Sequence, residues 1–288
     1  MFDTLTYKGR LITRRPDKNH SIKIQRNAYG HSRARMRSDI ISRVKSDDFP
    51  VEASKGIFTG RAAYDTVMSR IYNIPLRTKK DYNYSCLNFA LLMDIEQRRT
   101  GRPHQEYVEE NIFGPLGAYR TGYRPAERFA KSEIAPTEYD SFMRKQKVHG
   151  YVHDEMANFS GGVQGNAGLF ANADDIAKIC QMWLNGGTYG DARVLSPETV
   201  ELFTTAKSPT CRRGLGFDKP DTENPEYSPT CDEASPEVYG HLGFTGTVFW
   251  VDPKEELIFV FLTNRVDPTR DNAAFSKLNI RPRLFRYV

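Results

Sequence analysis

A histidine set among glycines and a tyrosine at a predicted helix entrance are the two side chains best placed for proton-transfer chemistry. His241 lies in residues 239–247, where closely spaced glycines let the backbone approach a neighbour. Tyr84 precedes a helical pattern, and groups at such an entrance can point into a cleft. The active-site interpretation is an imidazole and backbone N–H groups that face a ligand. The structural alternatives are a glycine-rich bulge beside a core histidine, and a half-buried tyrosine.

The element that must position His241 is predicted to be a buried antiparallel hairpin. An apolar run follows the glycines, residues 252–256 have turn chemistry, and residues 257–263 are β-rich and almost wholly apolar. A ligand would meet the edge formed by residues 241–244. Residues 215–217 are a further candidate strand.

Helical patterns surround this hairpin and the tyrosine. Asn172, with Asp175 three residues later, predicts a capped helix, and Ser196 followed by Pro197 predicts another. We expect residues 271–288 to be partly helical and to cover the sheet. The other helical patterns are at 62–74, from 87 to near 101, and at about 105–112.

Length and charge exclude some classes of protein. The chain has 288 residues, of which 39% are hydrophobic, and no run approaches the roughly 20 apolar residues of a membrane span. Residues 1–50 contain 12 Lys and Arg against 5 Asp and Glu, a bias that suggests nucleic acid as one alternative. The basic residues are interspersed with acidic ones and form no recognisable binding motif, so we expect no nucleic-acid partner. No signal-peptide pattern follows Met1.

The four cysteines are too few for a disulfide scaffold in a chain of this size. Cys211 and Cys231 each end the tetrapeptide Ser-Pro-Thr-Cys, near the candidate strands at 215–217 and 239 onward. A disulfide between them is possible if those strands pair. Two reduced surface thiols beside a chance repeat are the alternative.

Two histidines and two carboxylates at 149–155 (HGYVHDE) superficially suggest a metal site. Their order is not His-Glu-x-x-His, and Gly150 weakens any helix that would align the imidazoles. We therefore expect no metal and no cofactor. A polar loop that lines a cleft is the favoured interpretation.

Five short motifs occur in a characteristic order. They are Tyr-Ser-Cys at 84–86, Gly-Asn-Ala-Gly-Leu-Phe at 165–170, Arg-Gly-Leu-Gly-Phe at 213–217, His-Leu-Gly at 241–243 and Leu-Thr-Asn-Arg at 262–265. From about residue 60 to the C-terminus this order resembles the serine β-lactamase and penicillin-binding-protein family. It is most similar to the branch near class C β-lactamases that is found behind family 3 glycoside hydrolases.

The resemblance implies an α/β (α+β) fold, with a β-lactamase/DD-peptidase-like antiparallel sheet flanked by helices, a helical subdomain and a truncated N-terminus. Residues 1–60 would be an irregular basic segment of the helical subdomain. Residues 61–170 would be the helical subdomain that carries the Tyr motif. Residues 171–288 would be the C-terminal part of the α/β domain, with the His-Leu-Gly strand.

The resemblance also implies residue roles in acyl transfer, which needs a nucleophile, a base and oxyanion donors. Tyr84 would be the catalytic base or proton shuttle. His241 would keep the site positive and relay a proton, and the two residues would face a shared cleft. The backbone N–H of Phe244 would be one oxyanion donor. The positions implied to bind substrate are Cys86, Gly243, Phe244 and Asn264.

The nucleophile motif Ser-x-x-Lys is where the match fails. Its one plausible literal occurrence, residues 42–45, is followed at once by Ser-Asp-Asp-Phe-Pro and lies only 42 residues before Tyr84. We therefore expect the true motif upstream of Met1 and the chain alone to be inactive. Cys86 replaces an amide or carboxylate and Leu242 replaces a hydroxyl, so we do not expect β-lactam hydrolysis.

The expected function is that of a β-lactamase-related serine hydrolase acting on an ester or amide in cell-wall or glycan turnover. Its substrate would be a small molecule, a peptide or a glycan-linked group. The resemblance implies a bacterial periplasmic or cell-envelope location and a glycoside hydrolase domain upstream. The alternative is a non-catalytic accessory module that holds a glycan or peptide for a partner glycosidase. An intact upstream Ser-x-x-Lys would favour the enzyme.

Overall fold

The computed structural model describes residues 40–75, 82, 84–205 and 208–288, and the backbone of residues 5–7 and 10–12. The chain divides into two compact units, Met1–Tyr107 with Tyr123–Phe170, and Val108–Gly122 with Ala171–Val288. Most of the basic segment predicted at 1–60 lies outside the described residues. The predicted domain boundaries at 60 and 170 stay a prediction.

The first unit combines helices with short antiparallel strands. The strands are β1 (Leu5–Tyr7), β2 (Arg10–Ile12), β3 (Ile41–Ser42), β4 (Val51–Ser54), β5 (Ile57–Thr59), β6 (Pro136–Asp140) and β7 (Gln146–His149). They pair as β1-β2, β3-β5-β4 and β6-β7. The helices are α1 (Ala63–Tyr72), α2 (Leu87–Thr100), α3 (His104–Val108) and α4 (Glu155–Phe159).

Spacing of apolar residues explains the two long helices of this unit. Val67 and Ile71 of α1 are one turn apart and enter the same core as Ala90 of α2. Gly101 ends α2 in a left-handed conformation with φ 68°, and its N–H donates to the Gln97 carbonyl at 2.8 Å. The helices predicted at 62–74 and from 87 to near 101 are therefore confirmed.

The second unit contains the predicted hairpin and the remaining helices. Its strands are β8 (Thr188–Tyr189), β9 (Ala192–Arg193), β10 (Tyr239–Leu242), β11 (Val248–Asp252) and β12 (Leu257–Phe261). Its helices are α5 (Ala173–Leu184), α6 (Pro197–Thr205), α7 (Ala274–Lys277) and α8 (Ile280–Phe285). Strands β10, β11 and β12 form an antiparallel sheet in that order, and β8 pairs with β9.

Side-chain caps begin the two longest helices of the second unit, as predicted. The Asn172 side chain accepts a hydrogen bond from the Asp175 N–H at 2.9 Å, before the first turn of α5. The Ser196 hydroxyl accepts one from the Thr199 N–H at 3.2 Å, before α6. Each cap satisfies an N–H that has no partner within its helix.

Two predicted elements differ in the structure. The helix predicted at 105–112 is α3 followed by a wider π-type turn at Glu109–Phe113, and the Gly114 N–H donates to the Glu109 carbonyl at 2.8 Å. Gly114 has no Cβ to obstruct that close approach. The strand predicted at 215–217 is wrong, because Gly216 adopts φ 100° and turns the chain. Pairing with β10 begins one residue later, where Asp218 forms a bridge with Gly240.

Helices and antiparallel sheets together confirm the predicted α/β (α+β) class. The C-terminal segment is partly helical and covers the sheet, since Phe285 of α8 packs into the core formed by Trp250 and Phe259. Across the described residues, no helix combines the length and the apolarity needed to cross a bilayer.

Phe285→Ala should strongly destabilise the second unit. The Phe285 ring is 4% exposed and lies 5.1 Å from the Phe259 ring between centroids, so its removal leaves a cavity over the sheet. We expect a loss of about 3–5 kcal/mol in the free energy of unfolding, measured by urea denaturation.

Leu284→Ala is the matched control, because Leu284 is the preceding residue of α8 and is 37% exposed. We expect its cost to be about 0.5 kcal/mol or less. Equal losses in the two variants would show that α8 does not cover the core as described.

Candidate functional site

Both ring nitrogens of His241 are engaged by hydrogen bonds. Nδ1 lies 2.8 Å from the Leu242 carbonyl oxygen, which can only accept, so Nδ1 carries the proton. Nε2 lies 3.0 Å from Nη1 of Arg213, which can only donate, so Nε2 is the acceptor. This arrangement is that of a neutral imidazole.

Burial and the neighbouring guanidinium of Arg213 lower the pKa of His241. This differs from the expectation that His241 keeps the site positive, because burial and a like charge both disfavour imidazolium. The cations at this end of β10 are Arg213 and Arg212.

Both arginines are held by the carboxylate of Asp218, which is fully buried. Asp218 Oδ1 accepts from Arg212 Nε at 2.7 Å, and Oδ2 accepts from Arg213 Nη2 at 2.7 Å. The Lys219 N–H donates to Oδ1 at 3.1 Å. Sequence reasoning noted Arg213 only as part of a motif and missed Asp218. The available signal was an acidic residue five positions after an arginine that stands where the family has tyrosine.

The turn after β10 is fixed by two further arginines. The guanidinium of Arg281 donates to the carbonyl oxygens of Gly243 at 2.6 Å and Gly246 at 2.9 Å. Burial and the nearby Arg265 lower the pKa of Arg281 to about 10. Arg265 donates to the Phe244 carbonyl at 2.8 Å and stacks 4.6 Å from the centre of the Phe244 ring. Gly243 and Phe244 therefore lie in a rigid turn with a cationic rim.

The glycines of β10 and its turn are needed inside the hairpin itself. A Cβ at Gly240 would collide with the Phe249 carbonyl oxygen and the Trp250 ring. A Cβ at Gly243 would collide with the Thr247 hydroxyl, and the Gly243 N–H donates to the Thr247 carbonyl at 2.8 Å. The predicted close approach of the backbone to a neighbour is confirmed. At Gly240 and Gly243 that neighbour is another part of the same hairpin.

Tyr84 and Cys86 belong to the first unit. Tyr84 is 49% exposed, just before α2, and Cys86 occupies the N-cap position of that helix without a side-chain capping hydrogen bond and packs partly against its core. The Ser85 hydroxyl accepts from the Leu87 N–H at 3.1 Å. The helix-entrance position of Tyr84 is confirmed, and the prediction that it shares a cleft with His241 stays a prediction.

The other predicted positions lie as follows. Asn264 comes three residues after the end of β12, in the second unit with His241. The neighbouring Arg265 N–H donates to the Thr245 carbonyl at 2.8 Å, which joins this segment to the turn after β10. Roles for Asn264, Gly243, Phe244 and Cys86 in substrate binding stay predictions. Ser42 ends strand β3 and does not begin a helix.

The histidines at 149 and 153 have structural partners. His149 Nε2 lies 2.5 Å from the Ile134 carbonyl oxygen, and His153 Nε2 lies 3.1 Å from Glu138 Oε1. Residues 150–152 line a cavity of the first unit. The polar loop that was predicted to line a cleft there stays a prediction. Within the described ranges, no cluster of three or more His, Cys, Asp or Glu residues is arranged to hold a metal. All four cysteines are free, so Cys211 and Cys231 are separate thiols.

Asp218→Asn should destabilise the second unit, because it removes the buried counter-charge of two arginines. We expect a loss of about 3 kcal/mol in the free energy of unfolding, at the lower end for broken buried ion pairs. The side chains of Arg212 and Arg213 are 27% and 19% exposed, so in the variant they recover some hydration from solvent. Asp232→Asn is the control, since Asp232 is 75% exposed in its pair with Arg286, and its cost should be below about 1 kcal/mol. Similar losses in the two variants would contradict the assignment.

Acidification should weaken the fold through His241. Its folded-state pKa lies below the unfolded value of about 6.5, so below that pH the unfolded chain binds a proton that the native state refuses. This stabilisation is complete above about pH 6.5 and is lost as the pH falls through the lowered folded-state pKa. His241→Gln should flatten the dependence of unfolding free energy on pH in this window. A slope identical to that of the wild type would contradict the prediction.

Comparison with known proteins identifies the same family that the order of the motifs indicates. The family model described as Beta-lactamase matches residues 36–278. A protein of Escherichia coli O157:H7 that carries the name D-alanyl-D-alanine carboxypeptidase is 42% identical over 195 residues, covering 63% of this chain and 44% of that protein. The chain thus spans less than half the length of the curated relative that it matches.

Solved structures agree on the fold. D-amino acid amidase from Ochrobactrum anthropi SV3, complexed with L-phenylalanine, has a TM-score of 0.55 at 14% identity, covering 78% of this chain and 64% of that chain. A penicillin-binding protein homologue from Caulobacter crescentus has a TM-score of 0.50 at 16% identity, covering 85% and 67%. Because the family model matches well over half of its residues, the chain belongs to the β-lactamase family of penicillin-binding-protein-like serine hydrolases.

Proposed function

We propose that this chain is the C-terminal portion of a serine hydrolase that transfers an acyl group from an ester or amide to water. The observation that carries the proposal is the environment of β10. It places a neutral imidazole, two arginines and a rigid turn at the position of the family's His-x-Gly motif. Preorganised donors and positive charge of this kind favour a developing oxyanion.

The names of two similar proteins support the substrate class in this proposal. One carries the name of a D-alanyl-D-alanine carboxypeptidase and another is a D-amino acid amidase. Both names describe cleavage of an amide bond beside a D-amino acid. We infer a peptide or glycan-linked amide of the bacterial cell envelope as the substrate, with a glycoside hydrolase domain upstream in the natural polypeptide.

The residue roles in this proposal are those that the family resemblance implies. Tyr84 of the first unit is the general base or proton shuttle, and its partial exposure is compatible with contact to a substrate. The Phe244 N–H in the rigid turn is one oxyanion donor. In this proposal the nucleophile is not Ser42, which begins the one literal Ser-x-x-Lys of the sequence but ends strand β3 and starts no helix.

The 288-residue chain alone should not react with a fluorophosphonate or penicillin probe. A polypeptide extended upstream along the natural gene should be labelled at a Ser-x-x-Lys serine and should release D-alanine from a peptide ending in D-Ala-D-Ala. In that polypeptide, Tyr84→Phe should lower kcat/KM by about 10²–10⁴, because it removes the proton-transfer group. Labelling is measured by mass spectrometry and turnover by D-alanine release.

Tyr82→Phe is the matched control, as a second exposed tyrosine two residues away. It should retain kcat/KM within about twofold if proton transfer belongs to Tyr84. Labelling of Ser42 in the 288-residue chain, or equal losses in the two tyrosine variants, would overturn the proposal. A natural gene without an upstream Ser-x-x-Lys would favour the accessory binding module.

A further inference from the structure

We propose that Arg213, oriented by Asp218, is a positioning residue that locks His241 as the neutral Nδ1–H tautomer and replaces it as the cation of the site. The electrostatic part of this inference stands on the geometry of the second unit, and its catalytic meaning rests on the proposed function. The resemblance assigned both positive charge and proton relay to position 241. In the structure the positive charge lies on Arg213, and both ring nitrogens of His241 are engaged by hydrogen bonds.

The tautomer is determined at both ends of the ring. A guanidinium offers only donors, so the 3.0 Å contact from Arg213 Nη1 leaves Nε2 of His241 as an acceptor. The Leu242 carbonyl offers only an acceptor, so the 2.8 Å contact requires a proton on Nδ1. If Nε2 were protonated, its N–H would face the Nη1–H donor of Arg213, and the charged imidazole would lie beside the positive guanidinium. The ring would then have to move away from Arg213.

Asp218 keeps Arg213 in this orientation by two independent links. Its carboxylate accepts Arg213 Nη2 at 2.7 Å, so the same guanidinium binds Asp218 through one terminal nitrogen and His241 through the other. Its backbone pairs with Gly240, the residue before His241, with N···O distances of 2.8 and 3.1 Å. Asp218, Arg213 and His241 are therefore linked in a closed circuit of hydrogen bonds and backbone that leaves their side chains little freedom to rearrange.

The charged groups that act on His241 are Arg213, Arg212 and Asp218. Asp218 favours a charged imidazole, but its two oxygens are already shared between the arginines. Lysine could not replace Arg213 fully, because an ammonium is a point donor and lacks the planar fork that reaches two partners at once. Both arginines bind Asp218, and Arg213 also lies 3.0 Å from Nε2 of the ring.

The test is ¹⁵N nuclear magnetic resonance of the imidazoles in the 288-residue chain, with the His241 signals assigned by their loss in His241→Gln. In the wild type we expect the Nδ1–H pattern and a titration midpoint below about 6.5. Arg213→Met should shift the midpoint upward and mix the tautomers. Arg212→Met removes the same charge from Asp218 and leaves the hydrogen bond from Arg213 to the ring in place, so its shift should be smaller and the tautomer should persist.

Arg213→Lys keeps the result interpretable if Arg213→Met fails to fold. It retains positive charge, so its His241 midpoint should stay below that of an ordinary histidine while the single tautomer is lost. A wild-type Nε2–H pattern, a midpoint at or above about 6.5, or equal shifts in Arg213→Met and Arg212→Met would overturn the inference. The measurement uses no substrate, so failure of the proposed hydrolase activity leaves its outcome unchanged.

Discussion

The structure of the second unit depends on the ion pairs and hydrogen bonds that compensate one buried carboxylate. Asp218 is fully removed from water, a position that an ionised acid can occupy only with strong compensation. Arg212, Arg213 and the Lys219 N–H supply that compensation. Since the backbone of Asp218 also pairs with Gly240, the same residue joins the loop before it to strand β10. The position of the imidazole follows from this single pairing.

The sequence predicted the elements whose signals are local. Alternating and continuous apolar runs identified the hairpin of β11 and β12, and helical spacing with caps at Asn172 and Ser196 identified α5 and α6. Each of these signals acts within a few residues. The family motifs then located His241 and Tyr84, and the family itself is confirmed by the match over residues 36–278.

The site's electrostatics could not be predicted in the same way, because they depend on tertiary contacts. Nothing local indicates that Arg213 meets a ring 28 residues later, or that Asp218 is buried. The strand predicted at 215–217 failed for a related reason: its apolar residues suggested pairing, while Gly216 turned the chain. Positive charge at position 241 was implied by the family resemblance, whereas burial beside a guanidinium disfavours a charged imidazole there.

A site whose positive charge comes from arginine behaves differently from one charged by histidine. Histidine changes charge near neutral pH, whereas a guanidinium stays protonated throughout the physiological range. Even Arg281, whose pKa is lowered to about 10, remains charged at pH 7. In the proposed hydrolase, the stabilisation of a developing oxyanion near β10 would therefore be constant across neutral pH. Proton relay would then need a group other than His241, since the Nε2 lone pair of His241 is already engaged by Arg213.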